Sequence, residues 1–212
     1  VDATIGRVLA ALDQAEMADN TLVVFSSDNG PVWYDADEQK YGHRSTGIYR
    51  GMTGDAWAGG HRMPLLMRWP GNIAAGRVTD QLACLTDLLA TCASLVGHRL
   101  PPDAGEDSFD LLPLLRGEIG DAEPIRQTLI VNSTGDFVTV RRGPWKLIPF
   151  RGSGGFSKPR VIRNVPAGEP QGQLYNLAED PAETNNLYDR HPEMVAELTA
   201  LLDRARREGK TR

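Results

Sequence analysis

The stretch that decides the fold lies at residues 21–31 and reads TLVVFSSDNGP. Its apolar half is a short, unbroken run of β-favouring side chains, which suits a strand covered on both faces of a sheet. A Gly-Pro pair ends the run. The pattern therefore predicts a buried parallel strand whose carboxyl end carries Asp28 and Asn29.

Asp28 and Asn29 form a candidate metal site. Open α/β sheets bind their ligands at the carboxyl ends of parallel strands. Carboxylate and amide oxygens are hard ligands of the kind that Ca²⁺ and Mg²⁺ accept. Asp-Asn-Gly is also favoured in ordinary strand-ending turns, so the eleven residues alone leave both interpretations open.

Length and composition indicate a globular protein. The chain has 212 residues, 41% of them hydrophobic and 24% charged, which suits one large domain or a domain with a smaller companion. The formal net charge of −5 argues against a nucleic-acid-binding protein. No apolar run approaches the ~20 residues of a membrane-spanning helix.

The first half alternates helix and strand. The pattern predicts an amphipathic helix over 1–18, a strand over 63–69 and a helix within 79–96, with a long irregular segment at 30–62. Such alternation is typical of an α/β domain, and a long irregular segment in a compact domain is usually functional.

The second half has a different pattern. Turn residues separate its β-type runs, which predicts an antiparallel meander. A segment rich in Gly and Pro at 152–172 is expected to be a mobile insertion, and Pro192 is expected to start a final helix. The β-type runs lie at 128–131, 137–141, 145–148 and 174–177.

The two cysteines, Cys84 and Cys92, are expected on one helix, about two turns apart. That separation is too long for a disulfide. We expect both to be small core residues, with a free reactive thiol as the alternative.

Further blocks follow the Asp-Asn pair in a fixed order. In this order and at these spacings, the series resembles the C-terminal half of a type I sulfatase, a member of the formylglycine-dependent arylsulfatase family. The blocks are YRGMTGDAWAGGHRMP at 49–64, LLMRWPG at 65–71, DLLAT at 87–91, LPLLRG at 112–117 and LYNL at 174–177, followed by Asp180-Pro181, Glu183 and Asn186-Leu187.

The resemblance implies a fold and a division of the chain. Residues 1–120 would be the C-terminal part of an alkaline-phosphatase-like α/β domain. Residues 121–212 would form a small antiparallel sheet with a packed helix. Because the chain opens within a helical pattern and without Met, we expect a fragment that is inactive alone.

The resemblance also implies a sulfuric ester hydrolase. Asp28 and Asn29 match the family's pair of metal ligands, which usually hold Ca²⁺, with Mg²⁺ possible. The other acidic ligands and the formylglycine nucleophile are expected outside this chain, since neither Cys84 nor Cys92 begins a Cys-x-Pro/Ala-x-Arg motif. The implied substrate is a sulfated small molecule or carbohydrate, and the implied compartment is periplasmic, secreted or lysosomal.

Two positions depart from the family's pattern. Thr53 stands where the family commonly has lysine, and Ala58 stands where it has glutamate before Gly-Gly. Threonine donates a hydrogen bond but carries no charge. Loss of one preorganised donor typically costs about 3–4 kcal/mol of transition-state stabilisation, so catalysis is expected to be weakened unless another cation substitutes.

His43 and Arg50 are the candidate substrate-binding residues, because both lie between the metal pair and the Gly-Gly turn. The alternative for His43 is an ordinary surface residue, and the alternative for Arg50 is a solvated loop charge or a buried ion pair. For the whole protein, the alternatives are a catalytically impaired or non-enzymatic sulfatase-fold protein, a related metal-dependent phosphoesterase, and a plain structural or binding module.

Overall fold

The computed structural model describes residues 1–120 and 122–212. Residue 121, the first residue of the predicted unit 121–212, lies outside the described residues, so the boundary between the two units stays a prediction. The described elements, in chain order, are α1 (Asp2–Gln14), β1 (Val23–Ser26), α2 (Asp35–Tyr41), α3 (Ala58–His61), β2 (Leu65–Arg68), α4 (Asp87–Leu95), α5 (Leu112–Arg116), β3 (Thr128–Asn132), β4 (Val138–Arg142), β5 (Trp145–Ile148), β6 (Gln173–Asn176) and α6 (Pro192–Glu208).

Strands β1 and β2 form a two-stranded antiparallel sheet, with Val23 opposite Arg68. The prediction of a parallel strand covered on both faces is therefore wrong for the described residues. Val24 is 37% exposed and Leu66 is 57% exposed. An apolar run indicates that a strand tends to be buried, but it carries no information on the direction of the partner strand. Here the segment between β1 and β2 reverses the chain direction, so the two strands pair antiparallel.

The segment over 30–62 is less irregular than its sequence indicates. It contains α2, where the carboxylate of Asp37 accepts the backbone N–H of Tyr34 and Gly42 ends the helix with φ 62°. The helix was missed because its seven residues, DADEQKY, contain no apolar stripe. The short helix α3 carries the two glycines that precede His61.

Helix α1 ends at Gln14, before the predicted end at residue 18, and α4 lies within the range 79–96 that was predicted to contain a helix, beginning at Asp87. Cys84 therefore precedes α4, so the expectation that both cysteines share one helix is wrong. The core interpretation is wrong for Cys92, whose side chain is exposed, while Cys84 is partly buried and both are free thiols.

The second sheet is an antiparallel meander of order β3-β4-β5-β6, as predicted. Helix α6 packs on it and places its leucines against the sheet's apolar face. This arrangement of a small antiparallel sheet with a packed helix is confirmed. The fully or almost fully buried members of the core are Val140, Leu147, Leu174, Leu198 and Leu202.

A second cluster joins the loop before α3 to the meander. Ala56 and Trp57 pack against Ile148 and Tyr175. The indole N–H of Trp57 donates to Oε1 of Gln173 at 3.0 Å. The contact fixes the position of the loop that leads into the candidate site. None of the described helices is both long and apolar enough to cross a membrane.

Candidate functional site

The site is built at the end of β1, where the chain leaves the sheet at Ser27. The carboxylate of Asp28 is exposed. Its Oδ1 accepts the backbone N–H of Asn29 at 3.0 Å and the hydroxyl of Ser27 at 3.3 Å. These local bonds fix the start of the turn and orient one carboxylate oxygen.

Thr53 lies against this turn. Its hydroxyl is 2.9 Å from Oδ1 of Asn29 and also contacts the carbonyl oxygen of Gly30. Its backbone N–H donates to the carbonyl of Pro31 at 2.9 Å. The structure therefore brings together two of the positions singled out in the sequence, although they are 24 residues apart.

Close backbone packing requires glycine on both sides of this contact. The N–H of Gly30 donates to the carbonyl of Gly60 at 3.0 Å. A Cβ at Gly30 would lie 1.9 Å from the carbonyl oxygen of Gly59, and one at Gly59 would lie 2.4 Å from that of Gly51. A side chain at Gly30 would push α3 away from the end of β1, and a side chain at Gly59 would push α3 away from the loop at Gly51.

Ala58 connects the site to a buried ion pair. Its backbone N–H donates to Oε2 of Glu183 at 2.5 Å, and the other oxygen of Glu183 accepts Nζ of Lys146 at 2.7 Å. Both charged side chains are almost completely buried. Burial lowers the pKa of Lys146 from its ordinary value, and the attraction of Glu183 opposes that change.

The sequence did not reveal this pair, because Lys146 was assigned to a β-type run and Glu183 to a separate block of the family resemblance. The sequence does contain one indication of a buried ion pair. Lys146 stands within the β-type run WKLI, and a lysine in a buried strand requires a carboxylate partner. The identity of that partner is a tertiary feature that spacing does not reveal.

Arg50 is held by protein contacts. Its guanidinium lies 3.7 Å from the centre of the Trp57 ring, and Nη1 donates to the carbonyl oxygen of Glu183 at 3.0 Å. These contacts account for its position without a substrate. A role in substrate binding stays a prediction.

His43 belongs to an aromatic group at the start of the loop. Its ring lies edge-on to Trp33 at 5.7 Å, and its carbonyl accepts the indole N–H of Trp33 at 2.6 Å. Tyr41 lies 5.8 Å from the same indole, with Nζ of Lys40 4.7 Å from the tyrosine ring. His43 and Tyr41 are exposed, and the substrate-binding role of His43 stays a prediction.

His61 is the last residue of α3. Its ring is partly buried, and burial together with the nearby charge of Lys146 lowers the pKa of His61 to about 4. Within the described residues, its buried Nε2 has no hydrogen-bond partner.

Comparisons with known proteins agree on one family. A family model named Sulfatase matches residues 1–98. N-acetylgalactosamine-6-O-sulfatase of Bacteroides thetaiotaomicron is 34% identical over 208 residues, which cover 96% of this chain and 40% of that protein. Human arylsulfatase A is 35% identical over 198 residues, which cover 88% of this chain and 37% of that protein. The chain belongs to the sulfatase family.

Solved structures show the same relationship at the level of the fold. A Bacteroides thetaiotaomicron sulfatase, described with the metabolism of multiple glycosaminoglycans, superposes with a TM-score of 0.82 at 33% identity and is matched over 96% of this chain and 42% of its own. The sulfatase PsFucS1 from Pseudoalteromonas superposes with a TM-score of 0.71 at 27% identity, over 98% of this chain and 42% of its own. The chain therefore spans about two fifths of the length of the relatives it matches.

The sulfatase metal pair has a suitable donor set in this chain. Asp28 contributes an exposed carboxylate and Asn29 an amide oxygen. They would supply two of the about six to eight oxygens that Ca²⁺ prefers. Within residues 1–120 and 122–212, no group of three or more His, Cys, Asp or Glu side chains is placed to hold a metal ion.

Neither cysteine of this chain lies in the sequence motif from which sulfatases form their nucleophile. Cys84 is followed by Leu-Thr-Asp and Cys92 by Ala-Ser-Leu, and neither sequence contains the Pro/Ala and Arg of the formylglycine motif. In the structure the backbone N–H of Cys84 donates to Oδ2 of Asp87 at 2.7 Å, in the turn that starts α4.

Proposed function

We propose that the protein is a sulfuric ester hydrolase in which Asp28 and Asn29 help to bind a divalent cation, with Ca²⁺ as the first candidate and Mg²⁺ as the second. The observation that carries the proposal is the hydrogen bond between Thr53 and Asn29. It joins the end of β1 to the loop before α3. The family resemblance predicts metal ligands in the first of these segments and sulfate-binding residues in the second.

The cation would clamp and polarise the negatively charged sulfate ester. The chain's own residues prepare its site. Asp28 supplies a carboxylate, and the hydroxyl of Thr53 lies 2.9 Å from Oδ1 of Asn29 while also contacting the carbonyl oxygen of Gly30, which holds the Asn29 turn against the loop. Gly30 allows the two segments to approach, because a Cβ at this position would lie 1.9 Å from the carbonyl oxygen of Gly59. Because neither Cys84 nor Cys92 fits the motif, we place the formylglycine outside this chain and expect the 212-residue chain alone to be inactive.

For the substrate we propose a sulfated carbohydrate, with a sulfated small molecule as the alternative. A relative that is 34% identical over 96% of this chain is named for N-acetylgalactosamine-6-sulfate. The group of Trp33, Tyr41 and His43, in which Tyr41 and His43 are exposed and Trp33 is partly buried, begins four residues after Asn29 and offers aromatic faces on which a sugar ring can stack.

The test uses protein whose formylglycine has been verified by mass spectrometry. We expect Asp28→Ala to lower kcat/KM on an aryl sulfate by at least about a hundredfold and to weaken Ca²⁺ binding in calorimetry. The matched control is Asp35→Ala, which removes an exposed carboxylate of α2. Wild-type Ca²⁺ affinity and activity in Asp28→Ala would refute the proposed metal site.

A sulfatase-fold protein with weakened or lost catalysis is the second candidate. Thr53 and Ala58 favour it, because each removes a charged side chain that the family commonly has. Turnover of an aryl sulfate by the verified protein distinguishes the candidates. Hydrolysis of an aryl phosphate with no hydrolysis of the sulfate would instead support the metal-dependent phosphoesterase.

A further inference from the structure

The segment 151–163, part of the connection between β5 and β6, packs directly against the loop before α3. The backbone N–H of Ser157 donates to Oδ1 of Asp55 at 3.0 Å. The approach of the two backbones requires glycine, because a Cβ at Gly155 would lie 2.1 Å from the carbonyl oxygen of Gly54. These contacts hold the segment at a fixed place beside the candidate site.

Thr134, which follows β3, binds both of these segments. Its backbone N–H donates to the carbonyl of Gly54 at 3.2 Å, and its hydroxyl donates to the carbonyl of Gly154 at 2.5 Å. Nη2 of Arg160 donates to the hydroxyl oxygen of Thr134 at 3.3 Å. Since Gly54 directly follows Thr53, the guanidinium of Arg160 is connected to the candidate site through a single side chain.

Phe156 is an exposed aromatic side chain of the same segment. Its ring lies beside the candidate site, because a Cβ built on Gly54 would be 3.5 Å from the ring. The residue is nevertheless 51% exposed. The buried glycines before it fix its backbone, so the ring offers an apolar surface to solvent from a defined position. Such a surface is suited to stacking on the apolar face of a ligand ring.

The segment is also basic, although the whole chain has a formal net charge of −5. Residues 151–168 contain no Asp or Glu. Arg151 is paired with a carboxylate at 3.3 Å. Within the described residues, Lys158, Arg160 and Arg163 are exposed and have no carboxylate within 4.0 Å. The segment therefore carries positive charge that ion pairs leave available to a ligand.

We propose that this segment binds the sugar next to the sulfated one in an acidic oligosaccharide, with Phe156 stacking on the sugar ring and Arg160 pairing with an anionic group on it. This inference rests on the proposed sulfatase function, whose substrate it specifies. The sulfate ester belongs at the end of β1, so a segment that contacts the loop at Gly54 meets the next part of the substrate. A guanidinium binds a carboxylate or a sulfate through two parallel hydrogen bonds.

The test compares two probes, 6-sulfated N-acetylgalactosamine alone and the same sugar joined to glucuronate. Calorimetry uses the whole protein in which formylglycine has not been formed, so that neither probe is hydrolysed. We expect the disaccharide to bind at least about tenfold more tightly, because it adds a stacking surface and a charge-assisted partner. Equal affinity for the two probes, or no binding of either, would overturn the proposal.

Two pairs of substitutions separate the contributions of the ring and the charge. Phe156→Leu should lose most of the preference for the disaccharide, and Phe156→Tyr, which keeps the aromatic face, should retain it. Arg160→Gln should likewise lose the preference, and Arg160→Lys, which keeps the charge, should lose less. Both positions are exposed, so these variants should fold. The control is Arg207→Gln, which removes an exposed arginine from α6 and should leave the preference unchanged. A wild-type preference in either Phe156→Leu or Arg160→Gln would overturn the assignment.

Turnover separates this inference from the sulfatase function itself. In protein with verified formylglycine, hydrolysis of an aryl sulfate without any preference for the disaccharide would support the hydrolase and refute the sugar-binding segment. Preferential binding of the disaccharide without hydrolysis of any sulfate ester would support the sugar-binding segment and refute the hydrolase.

Discussion

At the scale of single residues, the proposed sulfatase function makes Thr53 the position to test. Its hydroxyl orients Asn29 but adds no charge. A lysine ammonium at position 53 can still donate to Oδ1 of Asn29 and adds a positive charge beside the sulfate. We expect Thr53→Lys to raise kcat/KM on an aryl sulfate by at least about tenfold, which corresponds to about 1.4 kcal/mol. Steady-state kinetics on formylglycine-verified protein provide the measurement.

Thr53→Met is the control for this change, since methionine resembles the lysine stem and has neither charge nor strong donor. It should lower activity, because Asn29 loses its orienting hydrogen bond. An equal gain in Thr53→Met would mean that side-chain length, and not charge, limits catalysis. A loss in both variants would identify the Thr53 hydroxyl itself as a working group.

At the scale of elements, the sequence was most informative where a pattern is local. The alternation in β3 to β6 and the stripe of α6 predicted the meander and its helix, because side-chain periodicity depends on neighbouring residues alone. The direction of β1 relative to β2 was not predictable, since the same apolar run suits a parallel and an antiparallel partner strand. Helix α2 was missed because polar helices lack the stripe that reveals them.

The candidate site was predictable in part for the same reason. Asp28, Asn29 and Thr53 lie in short motifs with a recognisable order. The ion pair of Lys146 and Glu183 depends on a contact between residues 37 positions apart, which no local spacing encodes. The segment at 152–172 has no regular secondary structure, and its composition predicted a mobile insertion. Residues 152–155 are nevertheless buried, because their small side chains allow the loop to pack closely.

The close packing of α3 against the backbone of the preceding loop at Gly51 makes a prediction at this scale. Gly59→Ala should destabilise the protein by more than about 2 kcal/mol, because its Cβ would lie 2.4 Å from a backbone carbonyl. Gly6→Ala is the control, since Gly6 lies in α1 with open space around its Cα. It should stabilise the helix by about 0.5–1 kcal/mol. Urea unfolding of both variants checks the pair, and equal effects would argue against the close approach.

At the scale of the whole molecule, the ion pair between Lys146 and Glu183 connects the meander to the N-terminal half. One carboxylate oxygen binds Lys146 on β5 and the other binds the backbone of Ala58 on α3. Lys146→Met should therefore lower the free energy of unfolding by about 3–5 kcal/mol, because it leaves Glu183 buried without its counter-ion.

The double substitution Lys146→Met with Glu183→Gln tests the cause. Glutamine keeps an acceptor for the N–H of Ala58 and removes the uncompensated charge, so the double variant should recover part of the loss. A double variant that is less stable than Lys146→Met would show that packing, and not charge, accounts for the effect. Urea unfolding at neutral pH gives the three free energies.

Protonation of His61 gives the molecule a dependence of stability on pH. Its pKa is about 4 in the folded protein and 6.5 in a model peptide, because burial and then the charge of Lys146 disfavour the protonated ring. Between these values the unfolded chain binds more protons than the folded one, so stability is fully present above about pH 6.5 and decreases as the pH falls toward 4. At pH 5 the expected loss from this residue is about 2 kcal/mol relative to neutral pH.

His61→Gln should reduce the difference between the unfolding free energies at pH 7 and pH 5 by that amount. The control is His98→Gln at an exposed position, and an equally large reduction there would contradict the assignment to His61.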